Sequence, residues 1–276
     1  MPLTINTNPT ALIIRKQLDK STIGLNRSLE RLATGLRVNR AADDPGSIGV
    51  AAKLTSQIRG SAQARRNAND AISLIQVADG ALAETANALQ RMRELAVQAS
   101  NSTYTTADRD NLDEEFQELV SEINRLALGT EYNDKVLLMG SFTNHPFQIG
   151  TMSGDQISIT IASARQSGLG ISGGVSVGGS GVEATAAITH VDNALTSVAD
   201  IRANLGAMQS RLEMIVATLG NTESLLTAAR SNIMDADISE ETSNLTRNTI
   251  LQQAGTAVLA QANLSPNMVL TLLNLR

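Results

Sequence analysis

Between residues 191 and 233 the apolar side chains return every seventh position. Val191, Val198, Leu205, Leu212, Leu219, Leu226 and Ile233 form one stripe, and Ala194, Ile201, Met208, Ile215, Thr222 and Ala229 form a companion stripe three residues later. A seam sustained for six heptads predicts a long α-helix that buries one face against other helices. At 1.5 Å per residue it would be about 65 Å long. A second seam runs through Leu54, Ser61, Ala68, Ile75, Leu82, Leu89 and Ala96, with Ala64, Ala71, Ala78, Thr85, Met92 and Ala99 beside it. Small residues dominate this one, which permits close approach of a neighbour. A shorter helix is predicted from Leu112, Phe116, Leu119, Ile123 and Leu126, and Thr105 with Asp108 has capping-box spacing at its start.

The ends are shorter versions of the same pattern. Leu18, Leu25 and Leu32 are seven apart, with Leu29 and Leu36 on the adjoining stripe, and residues 41–46 (Ala-Ala-Asp-Asp-Pro-Gly) end that helix in a turn. Near the other terminus Leu251, Ala254, Val258 and Ala262 share a face, and Met268, Val269, Leu270, Leu272, Leu273 and Leu275 close the chain. The order short, long, middle, long, short predicts nesting, with the first helix beside the last and the second beside the second-to-last. Composition agrees. Apolar residues make up 42% of the chain but aromatics only 2%, so a thick core built on rings is unavailable and thin helix packing is favoured. The predicted fold class is mainly α: an elongated antiparallel helical bundle or coiled coil with a small β-hairpin region in the middle.

That middle begins after Gly129. Ile157, Ile159 and Ile161 alternate with Ser158, Thr160 and Ala162, which predicts a half-buried strand paired with Phe147-Gln148-Ile149 through the turn residues 150–155. Residues 167–181 contain seven glycines in fifteen positions and are expected to be a flexible connector. A packed array of glycine turns is the alternative.

Several classes of chemistry find no support. There is no cysteine, so disulfides, thiolate metal sites and cysteine catalysis are excluded. His145 and His190 lie in no HExxH arrangement, and neither has a second histidine at ligand spacing. The adjacent carboxylates Asp43-Asp44, Glu114-Glu115 and Glu240-Glu241 read as solvated surface. Gly168-Leu169-Gly170 lacks the Lys-Ser/Thr of a phosphate loop. No catalytic residue, cofactor or metal site is expected. A net charge of −5 gives no reason to expect nucleic acid or an anionic membrane as partner. No run approaches 18 apolar residues, and the start shows no basic segment followed by an apolar core, so neither a membrane span nor a cleaved signal peptide is expected.

Several stretches closely resemble bacterial flagellins. They are Ile5-Asn6-Thr7-Asn8, the run 29–39 (Leu-Glu-Arg-Leu-Ala-Thr-Gly-Leu-Arg-Val-Asn), residues 41–46, residues 61–70 (Ser-Ala-Gln-Ala-Arg-Arg-Asn-Ala-Asn-Asp), residues 89–99 (Leu-Gln-Arg-Met-Arg-Glu-Leu-Ala-Val-Gln-Ala) and residues 250–263 (Ile-Leu-Gln-Gln-Ala-Gly-Thr-Ala-Val-Leu-Ala-Gln-Ala-Asn). The likeness covers about residues 1–140 and 185–276. It implies a structural subunit of the flagellar filament, extracellular, and exported without a cleaved signal. It also implies three regions: residues 1–40 with 240–276 as the polymerising inner tube, 41–140 with 185–239 as a helical bundle, and 141–184 as a hairpin and Gly-rich segment where larger relatives carry outer domains. Polymerisation is expected through Leu18, Leu25, Leu29, Leu32, Leu251, Val258, Ala262 and Leu270. The bundle seam is expected at Ile75, Leu82, Leu89, Leu205, Leu212, Leu219 and Leu226. The implied partners are other copies of the chain, hook–filament junction proteins, the filament cap, a flagellin export chaperone and the vertebrate Toll-like receptor that senses flagellin, the last through Arg91, Leu95 and Glu115. A junction protein, a flagellin carrying a protease insert and a generic coiled-coil scaffold are the competing readings.

Overall fold

The computed structural model describes residues 7–273. Its elements are α1 (Pro9–Thr34), α2 (Pro45–Ala99), α3 (Thr106–Gly129), β1 (Glu131–Tyr132), β2 (Lys135–Val136), β3 (His145–Gln148), β4 (Gln156–Ile159), α4 (Gly181–Met234) and α5 (Ile238–Leu273). The chain divides into two compact units: Gln57–Ser224, and Met1–Ser56 together with Leu225–Arg276. The divisions fall inside α2 and α4, not at residues 40 and 240.

Local chemistry accounts for the helix ends. Asn8 caps α1 by accepting from the Ala11 amide, and Pro9 stands where a missing N–H costs nothing. Gly35 ends the helix at φ +70°, donating back to the Arg31 carbonyl. Asp44 accepts from the Gly46 and Ser47 amides ahead of α2. At α3 the Thr105 hydroxyl accepts from Asp108 N–H while the Asp108 carboxylate accepts from Thr105 N–H, a complete capping box. Asp237 caps α5 through the Ser239 and Glu240 amides.

Within the unit 57–224 the core is built from small and aliphatic side chains. From α2 come Ala68, Ala71, Ile75, Ala78, Leu82, Leu89 and Met92; from α3, Phe116 and Ile123; from α4, Val191, Ala194, Val198, Leu205 and Leu212. Three ion pairs join α2 to α4 in antiparallel order: Arg93–Asp192 at 2.7 Å, Arg202–Asp79 at 2.7 Å and Arg65–Glu223 at 3.3 Å. Ile75, Leu82, Leu89, Leu205 and Leu212 are buried, whereas Leu219 and Leu226 are half-buried.

Strands β3 and β4 pair antiparallel, with Phe147 opposite Ile157, and Ile157 and Ile159 point into the core. A second small hairpin, β1–β2, was not anticipated from the sequence. Its turn residues Asn133 and Asp134 both have positive φ, 50° and 60°, the geometry of a type I′ turn.

The Gly-rich stretch corrects the expectation of a flexible connector. Leu169, Ile171 and Val177 are buried in the core, and Val175 packs against it. Residues of α3 hold the backbone in place: Asp113 accepts from Val177 N–H at 2.8 Å, Asp110 accepts from Gly179 N–H, and the Gln117 amide donates to the Val175 carbonyl. Glycines serve the path itself, since Gly170, Gly173, Gly174 and Gly179 all sit at positive φ. This is the packed turn array.

Candidate polymerisation surface

The unit formed by the two ends is an antiparallel pair, α1 against α5. On α1 the side turned to α5 is Ala11, Ile14, Leu18, Ser21, Leu25, Ser28 and Leu32; Ser21 and Ser28 are buried there. On α5 it is Glu241, Leu245, Asn248, Gln252, Gly255, Leu259 and Ala262. Both sides follow heptad spacing, yet six of the fourteen positions are polar or glycine. The fit is steric. A β-carbon on Gly24 would lie 2.8 Å from Asn248 Nδ2, and one on Gly255 would lie 3.1 Å from Leu18 Cδ1. The Asn8 amide donates to the Ala262 carbonyl at one end of the pair. Arg31 meets Glu241 at 2.6 Å near the other, with Glu241 buried.

Beyond that ion pair the two connecting segments are stitched together. Leu36 and Asp235 form an isolated antiparallel bridge. Arg37 N–H donates to the Met234 carbonyl at 2.7 Å, Ala236 N–H donates to the Gly35 carbonyl at 2.9 Å, and the Arg37 guanidinium donates to the Ile233 carbonyl.

Among the described residues, a further set of apolar side chains on these helices is largely exposed. Leu12, Ile13, Ile23 and Leu29 on α1, and Ile250, Leu251, Val258 and Leu264 on α5, are between 43% and 69% exposed. Five are apolar residues that the sequence reading passed over: Leu12, Ile13, Ile23, Ile250 and Leu264. Of the residues it singled out, Leu18, Leu25, Leu32 and Ala262 are half-buried in the α1–α5 seam, while Leu29, Leu251 and Val258 face outward. The side chain of Leu270, which belongs to α5, lies outside what the structure describes. A helix that is apolar on nearly every side needs cover on nearly every side. Helix α5 carries exposed apolar residues outside its seam, and from Asn248 onward it has no charged residue before Arg276.

The expected receptor-contact residues separate on inspection. Arg91 is exposed, donating to Glu115 at 2.8 Å and to Glu94 at 3.0 Å. Those bonds, the one to Glu115 foremost, raise its guanidinium above the usual arginine value. Leu95 is fully buried. Its side chain offers no surface of its own, which departs from its reading as a contact. His145 stacks on Phe142, ring centroids 4.1 Å apart. Among the described residues no group of three His, Cys, Asp or Glu is placed to hold a metal, and no helix is long and apolar enough to cross a membrane.

Comparison with known proteins agrees with this arrangement. The bacterial flagellin N-terminal helical region matches residues 5–143, and the bacterial flagellin C-terminal helical region matches residues 188–273. A flagellin of Halalkalibacterium halodurans is 40% identical over 98% of this chain and 99% of its own length. The flagellar filament 33 kDa core protein of Treponema phagedenis is 37% identical over 98% and 99%. The crystal structure of Bacillus cereus flagellin superposes with a TM-score of 0.50 at 31% identity, covering 56% of this chain and 88% of that one. A putative flagellar hook-associated protein from Vibrio parahaemolyticus reaches a TM-score of 0.60 at 14% identity, a likeness of fold alone. The chain belongs to the bacterial flagellin family, whose members polymerise into the extracellular flagellar filament and are not enzymes.

Proposed function

We propose that this subunit polymerises through the outward faces of α1 and α5, and that folding of this pair and association are one event. The observation behind the reading is the exposed apolar set Leu12, Ile23, Leu251 and Val258 on helices whose own seam holds five polar residues and a glycine among its fourteen positions. Each Leu, Val or Ile covered by a neighbour contributes about 1.5–3 kcal/mol, while ordering the backbone costs about 1–2 kcal/mol per residue. A single α1–α5 pair cannot offset that cost from its own seam. Neighbouring copies cover the stripes, and a contact that does not close into a ring extends as a helical polymer.

The finer partners follow from the same surface. An export chaperone covers the uncharged part of α5 from Asn248 onward before assembly, junction proteins and cap meet the polymer at its ends, and the chain leaves the cell without a cleaved signal. The exposed Arg91–Glu115 pair is the patch a vertebrate flagellin-sensing Toll-like receptor reads on the dissociated subunit.

The test is the double variant Leu251→Asp with Val258→Asp. Both positions face away from α1, so the melting of the bundle unit is expected to match wild type while seeded filament growth is lost. In wild type, helix content is expected to rise on polymerisation, and protease is expected to trim the monomer to a core near residues 45–235. Normal filaments from the double variant would overturn the assignment of this face.

A further inference from the structure

We propose that the three ion pairs between α2 and α4 act as a register lock, in which alternation of sign forbids the antiparallel helices from pairing two heptads out of step. The pairs sit at even intervals on α2. Arg65, Asp79 and Arg93 are spaced two heptads apart, positive, negative, positive, and they meet Glu223, Arg202 and Asp192. All six side chains are partly open to water, and the central pair is bidentate, with Arg202 Nε on Asp79 Oδ1 at 2.7 Å and its second nitrogen on Oδ2 at 3.3 Å. Exposed pairs of this kind add little to stability. Their consequence lies in the arrangements they exclude.

The seam itself discriminates poorly. On α2 the central positions of one stripe are Ile75, Leu82 and Leu89, near-equal in size, and the companion stripe runs Ala64, Ala71, Ala78. Sliding α4 by whole heptads sets aliphatic against aliphatic over the stretch Ile75 to Leu89, and size or polarity differs at Ser61, Ala68, Thr85 and Met92. The segment between the end of α3 at Gly129 and the start of α4 at Gly181 is a long excursion through both hairpins, and only its last residues are tied down, by Val177 N–H on Asp113 and Gly179 N–H on Asp110 of α3, which holds the start of α4 but not its length.

Charge adds discrimination along the length of the pair. A slip of one heptad sets Arg202 against Ile72 or Ala86 and breaks all three pairs. A slip of two heptads in one direction sets Glu223 against Asp79 and Arg202 against Arg93. In the other direction it sets Arg202 against Arg65 and Asp192 against Asp79. Like charges meet either way, as complementary flanking charges do in register-specific coiled coils.

The exchange Asp79→Arg with Arg202→Asp separates this role from simple stabilisation. It keeps an attractive pair at every native contact, but makes all three charges on α2 positive and all three on α4 negative. Two-heptad slips then become attractive as well. The chain has no cysteine, so nitroxide labels on Ser73→Cys and Ser210→Cys, both exposed positions, report the offset by double electron–electron resonance after refolding from denaturant. Wild-type charges give one distance population. The exchange variant gives a second one, offset by about 21 Å along the helix axis, the rise of fourteen residues. Asp79→Ala with Arg202→Ala, which removes the pair without making slips attractive, retains a single population. One population and wild-type helix content in the exchange variant would overturn the lock. So would failure of that variant to fold, since every native pair is retained in it.

Discussion

Replacing Ile171 by alanine separates a packed Gly-rich segment from a flexible one. Ile171 is 1% exposed and belongs to the core cluster that includes Leu169 and Val177. The chain around it is pinned by its own turn, with Ile171 N–H donating to the Gln166 carbonyl. The site therefore cannot simply close over the lost methyl and methylene groups. Truncation of a buried Ile to Ala costs about 2–5 kcal/mol, and we take about 3 kcal/mol for a residue on a loop that retains its other anchors. In a unit the size of Gln57–Ser224, each kcal/mol lowers the melting temperature by about 2–4 °C, so a drop of about 6–12 °C is expected. The assay is thermal unfolding of dissociated monomer followed by helical circular dichroism. Val182→Ala, at a position 80% exposed, is the control and is expected to move the midpoint by no more than about 0.5 kcal/mol of stability. An Ile171→Ala midpoint indistinguishable from wild type would show that the segment is a tether after all.

Leu212→Asp buries a charge at a fully covered seam position with no partner, and is expected to unfold the bundle; unchanged melting would refute the seam. Gly24→Val forces α1 away from Asn248, so filament growth falls while the melting of 57–224 stays constant; unaffected assembly would show that the close approach is unimportant. Asp108 is held below the usual aspartate value, first by its hydrogen bond with the Thr105 hydroxyl and then by the Thr105 amide. Its cap is therefore complete above the unfolded-state value and lost as pH falls through the lower folded one. Amide exchange in the first turn of α3 is expected to differ between wild type and Asp108→Asn near neutral pH and to converge in acid, and a difference persisting in acid would contradict the cap. Arg91→Ala removes both exposed ion pairs and is expected to weaken receptor signalling by soluble monomer severely; equal signalling would remove the site.

The parts of the fold written in periodic apolar residues were legible. The α2 and α4 seams, the β3–β4 hairpin and the Thr105 cap each carry a local signal that tertiary structure did not override. The α1–α5 seam was legible in period but not in phase. Helix α5 offers apolar residues on most sides, and the side chosen against α1 contains Asn248, Gln252 and Gly255, because small and hydrogen-bonding residues let the helices meet. Hydrophobicity alone points to Leu251 and Val258, which face outward. In the Gly-rich run a usable signal was present: Leu169, Ile171, Val175 and Val177 fall on alternate positions. Composition obscured it. Leu95 was misplaced for a related reason, since a motif records that a residue matters without recording whether its side chain is covered.

The stitch between residues 35–37 and 233–236 has a mechanical meaning. A rotating filament loads its subunits in torsion and tension, and helices are stiff along their length. Compliance gathers where the helices stop, at the non-helical residues between α1 and α2 and between α4 and α5. There the two strands of chain are cross-linked by the Arg37-to-Met234 and Ala236-to-Gly35 backbone bonds, which no substitution but proline at Arg37 or Ala236 deletes. Force entering along α1 and α5 is thus shared between two covalent paths at one point, so neither connection yields alone. The bridge makes a pair of flexible joints behave as a single hinge pin.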